Sequence, residues 1–118
     1  MTAPTVWERL TYLMKFERDA KILEILVGGR KSFSQLQKDT GIKYDASLTR
    51  SLRRLSSHNL VNGVYDRVPE TNEYHFYDIT YVGRVILEWY AEIKDIAKEY
   101  DVQISPLLKK MEEIPKKD

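Results

Sequence analysis

The side chains with the clearest potential for chemistry lie on one short segment that is rich in arginine. Between residues 44 and 58, Leu48, Leu52 and Leu55 recur at the three-and-four spacing that forms one apolar stripe on a helix. At about 100° per residue, basic and hydroxyl side chains point away from this stripe. The outward set is Lys43, Ser47, Arg50 and Arg54, with Arg53 at its margin. Side chains of these types could bind phosphates and the edges of bases.

A shorter helix is expected just before this segment, so that residues 33 to 61 form a helix-turn-helix. Ser34, with Gln37 three residues later, predicts a capping box at the start of the first helix. Gly41 should end that helix, and Asn59 should end the second because Asn tolerates the left-handed conformation. Such a pair presents its second helix to the major groove of DNA. An ordinary solvated helix, with arginines on its polar face, is the alternative.

Charge is distributed unevenly along the chain, although the formal net charge is only +1. Residues 28 to 67 hold eight Lys or Arg against three Asp or Glu, a balance of +5. Residues 68 to 118 hold seven bases against eleven acids, a balance of −4, and residues 1 to 27 hold four of each. The basic charge therefore coincides with the predicted helix-turn-helix. Local charge is what matters for phosphate contacts, because screening limits its reach to roughly 8 to 10 Å.

Length and composition indicate a single soluble domain. A chain of 118 residues with 42% hydrophobic and 31% charged residues has room for one core. No apolar run approaches the roughly 20 residues that span a bilayer, and residues 1 to 10 do not resemble a signal peptide. We therefore expect a cytoplasmic protein without membrane contacts. Because there is no cysteine, and His58 and His75 have no companion at ligand spacing, we expect no metal and no cofactor.

The flanking segments predict the rest of a winged helix. From Thr5 the apolar pattern indicates one long helix or two helices joined near Glu17, and a glycine pair at 28 and 29 ends it. That pair has no phosphate-loop motif beside it, so a helix stop is the better interpretation. Residues 60–68 and 73–79 are rich in Val, Tyr, Phe and Ile and predict a β-hairpin. The order of helix-turn-helix and hairpin is more specific than either part alone.

The C-terminal segment predicts helices that exceed the needs of one winged helix. Thr80 should cap a helix from Tyr81 to about Tyr100, and Ser105 with Pro106 should begin a separate short one. Twenty helical residues span about 30 Å, and apolar residues continue to the far end. A homodimer joined through its terminal helices explains this surface, and an ordinary monomer core is the alternative. The expected interface is Val6, Trp7, Leu10, Trp89, Ile93, Ile96, Tyr100, Leu107 and Leu108.

The expected fold is therefore α+β and mostly α, a winged helix-turn-helix with a two-stranded wing and long terminal helices that form a dimer. We expect one domain over residues 1–118. Its parts are an N-terminal helical region at 1–27, the helix-turn-helix and wing at 33–79, and C-terminal dimerisation helices at 80–115.

Residues 23 to 87 resemble the HxlR family of winged-helix transcriptional regulators, which are relatives of the MarR group. The resemblance rests on LEILVGGRKSFSQL, the leucine ladder, the wing sequence VYDRVPETNEY, and Thr80 with Gly83 in DITYVGRVIL. It implies a homodimer that binds a palindromic operator in double-stranded DNA and regulates transcription. The family commonly has a sensing cysteine near its first helix, which this chain lacks. Asn59 replaces a usual glycine, and Asn62 with Gly63 stand where an arginine is common.

These observations predict a sequence-specific regulator, a repressor in our interpretation, without enzymatic activity. Some side chains should read base edges, namely Lys43, Tyr44, Ser47 and Arg50. Others should hold phosphates, namely Lys31, Ser32, Arg53, Arg54 and Arg67. The main alternative is a winged helix that binds protein, because the wing tip carries Glu70 and Glu73. An enzyme lacks support because no nucleophile, metal or paired-carboxylate motif is present, and the sequence specifies no effector ligand.

Overall fold

The computed structural model describes residues 2–64 and 76–112, apart from the side chains of residues 102–108, 111 and 112. Within these ranges the chain forms five helices and two strands. They are α1 (Val6–Lys15), α2 (Glu17–Val27), α3 (Phe33–Thr40), α4 (Asp45–Ser57), β1 (Val61–Val64), β2 (Phe76–Ile79) and α5 (Tyr81–Glu112). The predicted mostly helical winged-helix fold is confirmed.

The N-terminal region consists of two helices joined by an elbow at Phe16. The backbone of Phe16 is not helical, with φ −123° and ψ 75°, and its N–H donates to the carbonyl of Tyr12 at 3.0 Å. Of the two arrangements that the sequence allowed, the structure therefore has two helices joined beside Glu17. Gly28 follows α2 as its cap, and Gly29 has φ 128°, which confirms the predicted stop.

The capping box of α3 lies two residues earlier than the sequence analysis predicted. Ser32 Oγ accepts the N–H of Gln35 at 3.2 Å, and Gln35 Oε1 accepts the N–H of Ser32 at 2.9 Å. The prediction of Ser34 with Gln37 was therefore wrong. Phe33 occupies the first position of the helix and packs against the core.

The ends of α3 and α4 agree with the sequence. Gly41 ends α3 with φ 75°, and Asn59 has φ 59° just after α4, so both residues adopt the left-handed conformation that their types allow. The turn between the two helices is short, and Ile42 in it packs against the core. This contact sets the direction in which α4 leaves the turn.

The wing begins as an antiparallel pair in which Val61 lies opposite Ile79 and Val64 opposite Phe76. Lys31 forms an isolated bridge to Tyr77, with N–H to carbonyl distances of 3.0 and 2.8 Å, and so adds a short third segment to the sheet. The predicted wing tip, including Arg67, lies outside the described residues.

One core connects all the helices. It contains the three leucines of α4, two leucines and an isoleucine of α2, and apolar residues of α1, α3, the sheet and the first half of α5. Leu10 is only 5% exposed within the single chain and belongs to this core, which corrects its assignment to a dimer interface. It faces inward because α1 packs its side against α2 and α5.

Helix α5 begins where the sequence predicts and continues further. The N–H of Gly83 donates to Thr80 Oγ1 at 2.8 Å, which confirms Thr80 as the cap. The helix then runs without a break to Glu112, so the prediction of a separate helix from Ser105 was wrong. A proline removes only one N–H from the ladder, and the residues beyond Pro106 are strong helix formers.

At 32 residues, α5 is about 48 Å long. Every residue from 91 to 101 is exposed, so this part of the helix extends away from the core. Within the described ranges, no helix combines the length and the apolar character that crossing a membrane requires.

Candidate nucleic-acid interface

Helix α4 has one buried side and one exposed side. Leu48, Leu52 and Leu55 are buried in the core, together with Ser51. The opposite side, which we call the outer face, consists of Ala46, Arg50, Arg53 and Ser57, all of them exposed. These four positions follow the spacing i, i+4, i+7 and i+11, so they share one line along the helix. The outer face therefore offers two adjacent guanidinium groups with one small side chain at each end of the pair.

The turn before α4 adds two more exposed side chains. Lys43 and Tyr44 are exposed, and Tyr44 keeps 75% of its accessible surface. The turn is held from both sides, because Ile42 packs against the core and Gln37 Nε2 donates to Asp45 Oδ1 at 2.6 Å. This hydrogen bond links α3 to the first turn of α4. Lys43 and Tyr44 thus project from a fixed part of the chain.

A groove of about 840 Å³ lies between α4 and the wing. Arg53 forms part of its wall, and hydrogen-bonding side chains of α4 and β1 surround it. The carboxylate of Asp45 lines the groove, and the uncharged side chains are Thr49, Ser56 and Asn62. The sequence analysis missed all three. Thr49 and Ser56 lie one turn before and one turn after Arg53, so helical spacing could have indicated them, whereas only the folded chain brings Asn62 beside them.

Arg54 does not point outward, contrary to the prediction. Its Nε donates to Asp19 Oδ2 at 2.8 Å and its Nη2 to Asp19 Oδ1 at 3.1 Å. Nη2 also lies 3.2 Å from Ser51 Oγ, and the guanidinium carbon lies 4.3 Å from the centre of the Phe16 ring. The cause is Asp19, which is fully buried and requires a cation beside it. The hydrogen bond to Asp19 raises the pKa of Arg54.

The same carboxylate accepts a hydrogen bond from the hydroxyl of Tyr12. Burial raises the pKa of Tyr12, and the hydrogen bond and charge of Asp19 act in the same direction. The Tyr12 ring also stacks on His58, with centroids 4.0 Å apart and planes 7° from parallel. His58 Nδ1 in turn lies 2.8 Å from the carbonyl oxygen of Arg54. These contacts join the elbow between α1 and α2 to the C-terminal half of α4.

Of the remaining candidates, Lys31 lies at the edge of the wing, where it pairs with β2. Lys31 is half-buried because its backbone pairs with Tyr77. Ser32 is the N-cap of α3. Ser47 is half-buried and lies on the same side of α4 as Arg54. Arg30, next to Lys31, lies over the ring of Phe76 at 5.5 Å. The structure therefore brings Lys31 to the wing, while Arg67 lies outside the described residues.

The family model described as "HxlR-like helix-turn-helix" matches residues 18–113, which covers most of the chain and every element of the interface. The chain belongs to this family. It is one of winged-helix transcriptional regulators, in agreement with the resemblance seen in the sequence.

Solved structures share the fold of this HxlR-like protein. The reduced form of the transcriptional regulator YodB from B. subtilis is 21% identical, with 85% of this chain and 95% of that chain covered and a TM-score of 0.66. The regulator BldR from Sulfolobus solfataricus is 19% identical, with 91% and 81% covered and a TM-score of 0.61. The homodimeric winged helix-turn-helix domain Mb0332 from Mycobacterium bovis is 20% identical, with 80% and 81% covered and a TM-score of 0.59. No curated protein showed significant sequence similarity.

The HxlR-like chain also exposes large apolar side chains on its terminal helices. Six of the nine predicted interface residues are exposed: Val6, Trp7, Trp89, Ile93, Ile96 and Tyr100. Trp7 and Ile96 keep 67% and 64% of their accessible surface. The side chains of Leu107 and Leu108 lie outside the description. This surface is distinct from the outer face of α4.

Proposed function

We propose that this protein is a sequence-specific regulator that binds a palindromic operator in double-stranded DNA as a homodimer and represses transcription. The outer face of α4 is the observation that carries the proposal. Two arginines are exposed there, on the side of the helix that faces away from its anchoring leucines. Arginine binds guanine O6 and N7 in the major groove with two hydrogen bonds, and a winged helix offers its second helix to that groove.

The proposed roles divide between bases and phosphates. Near the start of α4, Lys43, Tyr44, Ser47 and Arg50 read base edges. Phosphates are held by Lys31, Ser32, Arg53 and Arg67, joined by Thr49, Ser56 and Asn62 along the groove between α4 and the wing. Arg54 is removed from the phosphate set because its guanidinium is bonded to Asp19. Phosphate contacts fix the register of the protein on DNA, and base contacts supply the sequence preference.

The apolar surface on α1 and α5 supports the homodimer. No other described residue covers residues 91 to 101, although Ile93, Ile96 and Tyr100 among them are large and apolar. A second copy that packs on this surface would bury it and repeat α4 about one DNA turn, or 34 Å, along the duplex. Two modest half-site affinities then combine on a palindrome. Repression follows in this proposal because a bound dimer occupies DNA that the transcription machinery needs.

Fluorescence anisotropy with duplex DNA tests the proposal. The probes are the DNA upstream of the protein's own gene, a duplex enriched from a random pool by binding to the protein, and a scrambled duplex of equal composition. We expect tighter binding to the enriched duplex, with affinity falling steeply between about 50 and 200 mM salt. An Arg50→Ala/Arg53→Ala variant should lose this binding, whereas Lys21→Ala, which changes an exposed cation on α2, should keep it.

Equal weak binding to every duplex at low salt would contradict the proposal. The exposed surfaces would then have to serve protein contacts, and a search for a partner protein would follow. Sedimentation of the unliganded protein tests the dimer independently of DNA.

A further inference from the structure

Asp19 is a buried acid whose carboxylate bonds to side chains of two other helices. It lies on α2, is fully buried, and bonds both to Tyr12 on α1 and to Arg54 on α4. Its partner Arg54 directly follows Arg53, which belongs to the outer face. Asp19 therefore lies outside the proposed DNA-binding surface, but it is bonded to the sequence neighbour of a residue on that surface.

Stability alone is a poor explanation for this ion pair. The Asp19 carboxylate is fully buried, whereas the Arg54 side chain keeps 33% of its accessible surface. Taking a charge out of water costs about as much as its attraction to a partner returns, and apolar replacements of such pairs are often neutral or stabilising. The contribution of the pair is to fix the orientation of the Arg54 side chain. The carboxylate accepts from Nε and Nη2 together, and such paired bonds fix the orientation of the guanidinium. The Phe16 ring, 4.3 Å from the guanidinium carbon, covers it from one side.

The leucines of α4 anchor the helix by close packing in the core. The aligned hydrogen bonds between Arg54 and Asp19 add a restraint with a defined direction, because hydrogen bonds weaken steeply as their angles depart from the favoured geometry. A rotation of 20° moves a side-chain tip about 5 Å from the axis by about 2 Å. Recognition requires positions correct to about 0.5 Å and 10–20°. A rotation of this size would therefore displace Arg50 from a base edge.

We propose that Asp19 is a positioning residue that sets the rotation of α4 through Arg54 and thereby determines sequence preference without touching DNA. The hydroxyl of Tyr12 completes the arrangement by donating to the same carboxylate. The proposal rests on the proposed function for its consequence, discrimination between DNA sequences. The orientation of α4 itself can be measured without DNA.

The test compares the wild-type protein with a variant that removes the network and keeps the core apolar, Tyr12→Phe/Asp19→Leu/Arg54→Met. Its net charge equals that of the wild type, because one acid and one base are lost. The matched control is Lys21→Gln/Glu24→Gln, which removes one acid and one base from exposed positions of α2. Circular dichroism and thermal melting confirm folding. A single Asp19→Asn substitution provides a second route if the first variant does not fold.

The first readout is the ratio of affinities for the enriched and scrambled duplexes. We expect this ratio to fall about tenfold in the network variant, the range of one misplaced base contact, while affinity for scrambled DNA stays within about twofold. The control should keep the wild-type ratio. An unchanged ratio in the folded network variant would overturn the proposal, because a merely structural pair can be replaced without loss of preference.

The second readout uses spin labels and no DNA. Because the chain has no cysteine, the substitutions Arg18→Cys and Ala46→Cys place one label on α2 and one on the outer face of α4. Labelled chains are mixed with excess unlabelled protein so that each dimer carries one labelled copy. We expect a narrow distance distribution in wild type and control, and a broader or shifted one in the network variant. Identical distributions would overturn the positioning role. If the wild-type protein prefers no duplex, the proposed function fails, and these distances alone decide the positioning.

Discussion

Gly83 lies directly against the carbonyl oxygen of Leu60. A Cβ at residue 83 would overlap this oxygen and come within 2.9 Å of Ile79 Cγ1. The same carbonyl accepts the N–H of Thr80 at 3.0 Å, and the Thr80 hydroxyl donates to the carbonyl of Asn59 at 2.8 Å. Thr80 and Gly83 thus hold the start of α5 against the chain that leaves α4. The Thr-x-x-Gly sequence has a physical explanation in this close approach.

We expect Gly83→Ala to lower the free energy of unfolding by about 1–3 kcal/mol, the usual cost of forcing a methyl group into a filled space. Urea denaturation measures the change. The control is Gly28→Ala, since the nearest atom to a Cβ there is 3.6 Å away and φ is −73°. That substitution should change stability little or raise it by up to about 1 kcal/mol. Equal losses in both variants would contradict the close approach at residue 83.

The two exposed arginines of α4 should differ in what they contribute to DNA binding. Arg50→Ala should weaken operator binding by about 1–3 kcal/mol and relax the preference at one base pair. Arg53→Ala should weaken binding to all sequences similarly and reduce the salt slope by about one, because Arg53 is assigned to phosphate. Competition against operators mutated one base pair at a time separates the two effects. If Arg50→Ala weakened operator and scrambled DNA equally, its base-reading role would be lost.

Ile96 keeps 64% of its surface on a helix that extends away from the core, so it should lie in the dimer interface. Ile96→Glu places a charge there and should convert the protein to a monomer at micromolar concentration, because an unpaired charge in an apolar interface is costly. Analytical ultracentrifugation measures the association. Lys98→Gln changes the charge equally on the opposite side of α5 and should remain dimeric. A dimeric Ile96→Glu protein would exclude this residue from the interface.

Ser32 and Ser34 are each followed by a glutamine three residues later, but only Ser32 caps α3. Ser32→Ala should therefore cost about 1 kcal/mol of stability, the typical value of a lost N-cap. Ser34→Ala at the exposed second helical position should have little effect. Thermal and urea unfolding of both variants measure the difference. The reverse order of stabilities would indicate that the helix begins at the later serine.

Tyr12 should make stability sensitive to alkaline pH. Burial raises the pKa of Tyr12 above its ordinary value of about 10, so above that pH the unfolded chain loses a proton that the folded chain retains. The stability that Tyr12 contributes is complete below pH 10. It decreases at higher pH with a slope of up to about 1.4 kcal/mol per pH unit.

The advantage of wild type over Tyr12→Phe should therefore be constant between pH 7 and 9 and shrink above pH 10. Urea denaturation at each pH measures it, and the other tyrosines cancel in the comparison. A difference that stays constant to pH 11 would show that Tyr12 ionises equally easily in both states.

Local chemistry explains what could be predicted from sequence. Gly41, Asn59 and Thr80 each mark a helix end through their own backbone or side-chain preference, and all three do so in the structure. The leucine spacing of α4 predicted its buried side for the same reason, since helical geometry is set by the backbone. The order of helix-turn-helix and wing followed from these local signals, and the family followed from the resemblance of residues 23 to 87 to its members.

Tertiary packing determined the features for which the local sequence allowed two alternatives. Two serines could cap α3, and in the folded chain the helix begins directly after Ser32, with Phe33 packed against the core. Leu10 has the same apolar character as the exposed residues of its helix, and only the packing of α1 placed it inside.

Arg53 and Arg54 show most clearly which features the sequence determines and which only the tertiary structure determines. On a helical projection they lie roughly 50° to either side of the direction opposite the leucines. The sequence analysis placed Arg54 in the outward set and Arg53 at its margin, and this small difference in angle did not determine which of them stays exposed. The tertiary structure placed the groove and wing beside Arg53 and a buried carboxylate beside Arg54. Leaving a buried carboxylate without a partner costs more free energy than moving one arginine partly out of solvent. The burial of Asp19, which depends on how α2 packs against the rest of the chain, therefore determined which of the two arginines remains exposed.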